Sequence, residues 1–328
     1  MMRISVVIPT RNRRDSLLRL LASLSRQQRL PDEVVVVDAS DDPLPEEELR
    51  SIFPTLPARC LHHQPSVCAQ RNTGISEAQG THIFLCDDDM EAPANYLSSI
   101  AAHLERHPYD GAVSGVVSEA DAAGIFTGRF PAIRPRALVW CFIFQLTVWG
   151  DISLVTGRGL AHRMVFPLRA WYRNRGNTTS LAGWPLVTSV HGAFFRTAFY
   201  GLGAAVIRRD WLLASPFNEA LDAHGIGDNY GAALGFPGGQ PIVVLNTTVI
   251  RHHKIQENRL SRTVSHVARI RAMRAFLRQR GLYSFPRKAF LFWSIVGNII
   301  RFLLRGDRQM SCAAISALRD GAVRTTLK

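Results

Sequence analysis

Three short apolar runs, each cut off by polar residues, constrain this chain more than any other feature of its sequence. Residues 4–8 (ISVVI) end at Pro9, Thr10 and Asn12, residues 34–37 (four valines) end at Asp38, and residues 82–86 (HIFLC) end at Asp87, Asp88 and Asp89. A strand buried on both faces reads as an unbroken apolar run, whereas a half-exposed strand alternates. Between the runs, Leu17, Leu18, Leu20, Leu21 and Leu24, and then Ala69, Gly74, Ile75 and Ala78, recur at helical spacing. Strand and helix in alternation predict an α/β fold with a mostly parallel, Rossmann-like sheet flanked by helices. Such sheets bind ligands beyond the carboxyl ends of their strands, which is where all three polar clusters fall.

Further along, residues 95–107 read as a helix, residues 112–117 as a strand and residues 242–251 (IVVLNTTVIR) as a strand leading into His252 and His253. From 120 to 196 the pattern weakens, and residues 173–185 (RNRGNTTSLAGWP) read as loop. Beyond Leu260 the pattern turns helical, with Val264, Val267, Ile270, Met273 and Leu277 at three- or four-residue spacing between arginines.

The formal charge of +13 is unevenly placed. Residues 251–328 hold 17 Lys and Arg against Glu257, Asp307 and Asp320, a local net of +14, so the rest of the chain is close to neutral. The basic residues are interleaved with long aliphatic and aromatic stretches such as residues 290–304, not with the isolated stacking aromatics of single-strand binders. The expected partner of the tail is therefore an anionic membrane surface and not nucleic acid. Residues 290–304, and a second apolar run at 138–149 (LVWCFIFQLTVW), are both short for a bilayer span, which takes about 20 apolar residues. The five cysteines are odd in number and form no CxxC pair, and the first strand begins directly after Met1, Met2 and Arg3. Both features lead to the expectation of a cytoplasmic protein, peripheral on the inner face of the cell membrane.

Asp87, Asp88 and Asp89 repel one another, and the end of a buried strand solvates them poorly. Oxygen ligands so placed suit Mg2+ or Mn2+, which bind through one or two carboxylates together with substrate phosphates.

The segments VVIPTRNR (6–13), VVVVDASDD (34–42) and AQRNTGISEAQGTHIFLCDDDM (69–90), in that order and spacing, resemble the nucleotide-sugar half of family 2 glycosyltransferases with the GT-A fold. The resemblance covers roughly the first 110 residues. It implies an inverting transfer of a sugar from a nucleotide-diphosphate donor to a hydroxyl of a glycan or lipid-linked acceptor, assisted by Mn2+ or Mg2+. In residue terms it implies that Pro9, Thr10 and Asn12 line the nucleotide pocket, that Asp38 accepts a hydrogen bond from the base, and that Arg71 holds the base or the phosphates. Asp87 would touch ribose or metal, Asp88 the donor sugar, and Asp89 the cation, with His252 or His253 completing the metal site.

The base that deprotonates the acceptor usually belongs to a Glu-Asp pair downstream of a Phe-Asp-Glu-like segment. Here Phe217, Asn218 and Glu219 stand for that segment and Gly227 and Asp228 for the pair, which makes Asp228 the expected base and Asp222 the other candidate carboxylate. The implied organisation is a catalytic domain over 1–255, with its nucleotide-sugar half at about 1–118 and its acceptor half at about 119–255. A basic, amphipathic helical region at 256–328 would associate with the membrane.

Overall fold

The computed structural model describes residues 2–120, 124–128, 130–155, 160–221, 224–254 and 260–319. The chain begins with β1 (Ile4–Thr10), α1 (Arg14–Leu24), β2 (Glu33–Asp38), α2 (Glu46–Ile52), β3 (Ala58–His62), α3 (Val67–Glu77) and β4 (His82–Cys86). It continues through β5 (Met90–Glu91), α4 (Tyr96–Arg106), β6 (Ala112–Glu119), α5 (Pro135–Ile143), β7 (Val148–Trp149), α6 (Leu160–Arg175) and β8 (Leu186–Val187). There follow β9 (Phe194–Thr197), β10 (Ala204–Arg208), α7 (Arg209–Ala214), α8 (Asp228–Leu234), β11 (Ile242–His252), α9 (Arg262–Gln279), α10 (Phe285–Leu304) and α11 (Arg308–Arg319).

The chain divides into two compact units. One comprises Met1–Arg129, His191–Arg196 and Tyr200–Arg259; the other comprises Phe130–Val190, Thr197–Phe199 and Leu260–Lys328. The first unit is built on a nine-stranded sheet, counted among the described residues, in the order β3-β2-β1-β4-β10-β6-β11-β5 with β9 paired to β11. β3, β2, β1 and β4 are parallel neighbours, and β6 and β11 are parallel to each other. β10 is antiparallel to both β4 and β6 and joins the two sets. The apolar runs of the sequence are the central strands: Val6, Val7, Ile8, Val34, Val35, Val36, Val37, Ile83 and Phe84 are fully buried. At about 1.5–3 kcal/mol for each large aliphatic side chain removed from water, these strands supply much of the drive to fold. The common orientation of β1, β2, β4, β6 and β11 sets Thr10, Asp38, Cys86, Glu119 and His252 at the same rim, the carboxyl ends of the strands.

The second unit is assembled from separate stretches of the chain. Residues 130–190 group with the tail helices and not with the sheet. The cause is aromatic packing: Phe144 stacks on Trp293 with ring centroids 5.0 Å apart, and the Trp293 indole donates to the Ile143 carbonyl at 2.8 Å. The buried Trp184 indole likewise donates to Ser294 Oγ at 2.9 Å. The apolar run at 138–149 is not one helix, since it breaks at Gln145, whose φ is +51°, and continues into β7. Residues 120–196, read as largely irregular, contain the sixteen-residue α6. The helical stripe beyond Leu260 is α9, with Ile270, Met273 and Leu277 buried; the helix with a broad exposed apolar face is α10. Among the described residues, no helix is long and apolar enough to cross a membrane.

Candidate functional site

The acidic end of β4 is organised by cations drawn from other elements, each carboxylate having its own partner. Arg71, on α3, is buried and donates through Nη2 to Asp87 Oδ1 at 2.6 Å and through Nη1 to Asp228 Oδ2. Its guanidinium also lies over the Phe217 ring, 5.1 Å from the centroid. Asn72, the next residue, clamps the same downstream segment: its amide donates to the Phe217 carbonyl at 2.9 Å and to Glu219 at 2.7 Å, and it accepts from the Phe217 N–H at 2.9 Å. Neighbouring residues on α3 thus fasten the segment that carries Asp228 to the end of β4.

Asp228 is the first residue of α8. Gly227 before it adopts φ +95°, a left-handed conformation in which a glutamate would be strained, which accounts for glycine at that position. The Asp228 carboxylate does not cap the helix; it faces Arg71, and its Oδ1 accepts from the Asn229 N–H at 2.5 Å. Burial raises its pKa to about 6, against the opposing pull of the Arg71 charge. Asp222 lies outside the described residues.

Asp88 is turned into the protein. It accepts from Thr10 Oγ1 at 2.9 Å and from Arg13 Nη1 at 3.1 Å, and burial pushes its pKa up to about 6 although Arg13 opposes this. These two anchors hold the carboxylate against β1. Thr10 spends its hydroxyl on the same bond. Pro9 is buried in β1 opposite Val37 of β2. Asn12, at φ +53°, reaches across to the end of β2: its backbone N–H donates to Ser40 Oγ at 2.7 Å and its amide to Asp41 at 2.8 Å. Asp38 accepts from the Ser40 N–H at 2.8 Å and the Leu44 N–H at 3.1 Å, so its carboxylate shapes the turn after β2. Arg71, expected on the base or the phosphates, is committed to two carboxylates here.

Asp89 is matched by histidine. His252 Nε2 lies 3.2 Å from Asp89 Oδ1, while His252 Nδ1 lies 3.6 Å from Glu119 Oε1. His253 is directed elsewhere, with its ring nitrogen 2.9 Å from Glu91 and its ring edge-on to Phe126. Successive side chains of an extended chain point to opposite sides, so only one of the two histidines reaches Asp89, and that one is His252. Burial lowers the pKa of His252, but the facing carboxylates of Asp89 and Glu119, with the charge of Asp87 beyond them, outweigh it and raise the value to about 9.

Carboxylate oxygens and one imidazole nitrogen at a sheet rim are a donor set that suits Mn2+ and, less well, Mg2+. A side chain drawn so strongly to the protonated state marks a place where the protein concentrates negative charge. Among the described residues, no group of three or more His, Cys, Asp or Glu side chains is arranged to enclose an ion. Asp89 and His252 could offer two donors to such an ion, with substrate oxygens and water as the others. Sequence reasoning passed over Arg13, Glu119 and Lys254, although Glu119 carries the same signal as Asp38, an acid closing a buried strand.

Residues 5–153 match the family described as Glycosyl transferase family 2. A Bacillus subtilis (strain 168) protein, the uncharacterized glycosyltransferase YwdF, is 33% identical over 136 residues, which are 40% of this chain and 48% of that protein. The match thus spans about half the length of that relative. Among solved structures, S. aureus TarS 1-349 in complex with UDP-GlcNAc aligns over 97% of this chain and 80% of its own, with a TM-score of 0.58 and 16% identity. The mannosyltransferase PcManGT from Pyrobaculum calidifontis, in complex with GDP-Man and Mn2+, aligns over 99% of this chain and 76% of its own, with a TM-score of 0.51 and 17% identity. These likenesses identify the fold as the GT-A glycosyltransferase fold.

Proposed function

We propose, for a chain whose residues 5–153 match glycosyl transferase family 2, the inverting transfer of a sugar from a nucleotide-diphosphate donor to an acceptor hydroxyl. The single observation that carries this reading is the meeting, at one sheet rim, of a buried carboxylate with a raised pKa (Asp228) and an acid–imidazole pair (Asp89 and His252).

In the reaction, the acceptor oxygen bonds to the anomeric carbon as the bond from that carbon to the diphosphate oxygen breaks. The hydroxyl proton passes to Asp228, and the nucleoside diphosphate leaves with the bonding electron pair. One carboxylate base opposite the leaving group gives inversion. Arg71 keeps Asp228 ionised, and α3 keeps it in place through Asn72 and Phe217. Asp89 and His252 would hold a divalent cation, with Asp87 beside them, and that ion supplies Lewis-acid stabilisation of the departing diphosphate. The turns after β1 and β2, shaped by Thr10, Asn12 and Asp38, offer the nucleotide its seat. The fold relatives bound to UDP-GlcNAc and to GDP-Man support a nucleotide-sugar donor, and the one bound to Mn2+ supports a metal.

The acceptor in this reading is a glycan or a lipid-linked glycan, met at the inner face of the cell membrane by a peripheral protein. Support comes from α10. Phe285, Phe292, Trp293, Leu303 and Leu304 are exposed on it, with Lys288 and Arg305 among them. Apolar rings flanked by cations suit an anionic lipid surface.

Hydrolysis and transfer assays of the purified protein across a panel of nucleotide sugars, with and without Mn2+, test the reading. Metal-dependent release of nucleoside diphosphate from one donor class is expected. Binding of donors with no release under any condition would instead mark a donor-binding scaffold.

A further inference from the structure

The register of two parallel strands places a second acid beside His252. β6 and β11 pair so that Glu119 lies opposite His252 at the ends of both strands. The imidazole therefore stands between two acids, Nε2 toward Asp89 at 3.2 Å and Nδ1 toward Glu119 at 3.6 Å. Glu119 is itself held from its far side: Lys254 Nζ lies 2.5 Å from Oε2. The lysine follows His252 and His253 directly, so the chain that delivers the imidazole also tethers the carboxylate behind it.

We propose that Glu119 is a positioning residue that orients His252 toward a divalent cation shared with Asp89. A neutral imidazole binds metal through one nitrogen and carries its proton on the other. With Nδ1–H directed at Glu119, the electron pair that becomes free once Nε2 gives up its proton lies on the side of Asp89. A carboxylate behind a metal-bound histidine fixes both the tautomer and the ring plane, and removing such a partner typically weakens metal binding about 10–100-fold. The Lys254 ion pair keeps Glu119 from swinging around to become a ligand itself. The inference rests on the reading that Asp89 and His252 share the cation.

Mn2+ binding to the full chain, followed by the electron paramagnetic resonance of the free ion in the presence of nucleoside diphosphate, provides a readout separate from turnover. Four proteins are compared: wild type, His252→Ala, Glu119→Ala and Glu119→Gln. Glu119→Ala is expected to lower Mn2+ affinity about 10–100-fold. Glu119→Gln, which removes the charge but keeps an oxygen to accept from Nδ1–H, should stay within a few-fold of wild type. Circular dichroism and melting in metal-free buffer confirm that each variant is folded.

If Glu119→Ala binds Mn2+ like wild type while His252→Ala does not, the positioning role is overturned and the metal site stands. If Glu119→Gln loses as much affinity as Glu119→Ala, only the charge of Glu119 matters and the orienting role is again overturned. If His252→Ala binds as tightly as wild type, or wild type does not bind at all, the shared-cation reading fails and the inference fails with it.

Discussion

The Arg71 guanidinium and the Asp228 carboxylate form a buried ion pair across 157 positions of sequence. Their meeting ties the helix after β3 to the expected base and sets that base near Asp87, to which Arg71 also donates. A carboxylate pinned in this way has a fixed orientation before any acceptor arrives, which is what a general base needs.

Asp228→Asn preserves the shape of the side chain and one hydrogen-bond acceptor for Arg71 but cannot take up a proton. Turnover should fall about 10²–10⁴-fold, the usual contribution of general base catalysis. Nucleotide affinity, measured by calorimetry, should stay within a few-fold of wild type. Unchanged turnover would remove Asp228 from the mechanism.

A base with a pKa of about 6 gives the rate a defined acid limb. The rate should drop as pH falls through 6, tenfold per unit below it. The sign for stability is opposite. Asp228 and Asp88, whose ordinary value is 3.8, both titrate near 6 in the folded protein, so the folded state binds their protons more tightly than the unfolded chain does. Their contribution to stability therefore grows as pH falls from 6 toward 4. Activity at pH 5 should fall to about a tenth while the melting temperature is held, a separation that parallel rate and melting measurements would reveal or refute.

Gly203 touches the acid cluster without contributing a side chain. Its carbonyl accepts from the Asp87 N–H at 3.0 Å, and a Cβ built on it would overlap the Asp87 carboxylate. Gly203→Ala should displace that carboxylate and break its pair with Arg71. A Mn2+-dependent rate reduced at least tenfold is expected, with far-ultraviolet circular dichroism unchanged; a fully active variant would show that Asp87 has room to move.

Tyr96 joins α4 to the middle of the sheet. Fully buried, it donates its hydroxyl to the Ala204 carbonyl at 2.5 Å and accepts from the Gly115 N–H at 2.9 Å. Tyr96→Phe takes the acceptor from the buried Gly115 N–H, while the Ala204 carbonyl keeps its bond from Ser114 Oγ at 3.0 Å, and should cost about 1–3 kcal/mol in denaturant unfolding. A loss below about 0.5 kcal/mol would mean that water replaces the hydroxyl.

The apolar face of α10 provides the membrane test. Replacing Phe285, Phe292 and Leu303 together by serine should abolish flotation with vesicles containing anionic phosphatidylglycerol, as should truncation after Arg262. Raising salt should weaken binding of the intact chain, since part of the attraction is between arginines and lipid phosphate. Retention of the triple variant on vesicles would rule out this face.

The central strands were legible because burial on both faces leaves an unbroken apolar string, and the rim acids because each closes such a string. α2 and β3 were not, since Glu46–Ile52 is mostly charged and Ala58–His62 is a half-exposed edge strand whose residues mix Arg, Cys and His. The pairing of Asp89 with His252 and not His253 depends on strand register, a property of two partners that neither segment carries alone. The aromatic residues of 138–149 do not declare their partners: Phe144 stacks on Trp293 of α10, whereas Phe142 packs on Trp171 and Tyr172 of α6.

The reversal of β10 also reaches beyond topology. A strand laid head to tail among parallel neighbours starts where they finish, so the polypeptide leading into it emerges among the acids that close β4. Gly203 arrives there by that route, from a part of the chain more than one hundred residues beyond Asp87. Substitutions in the short stretch before Ala204 should therefore register in the chemistry of the acidic triplet, however remote they look on a linear map.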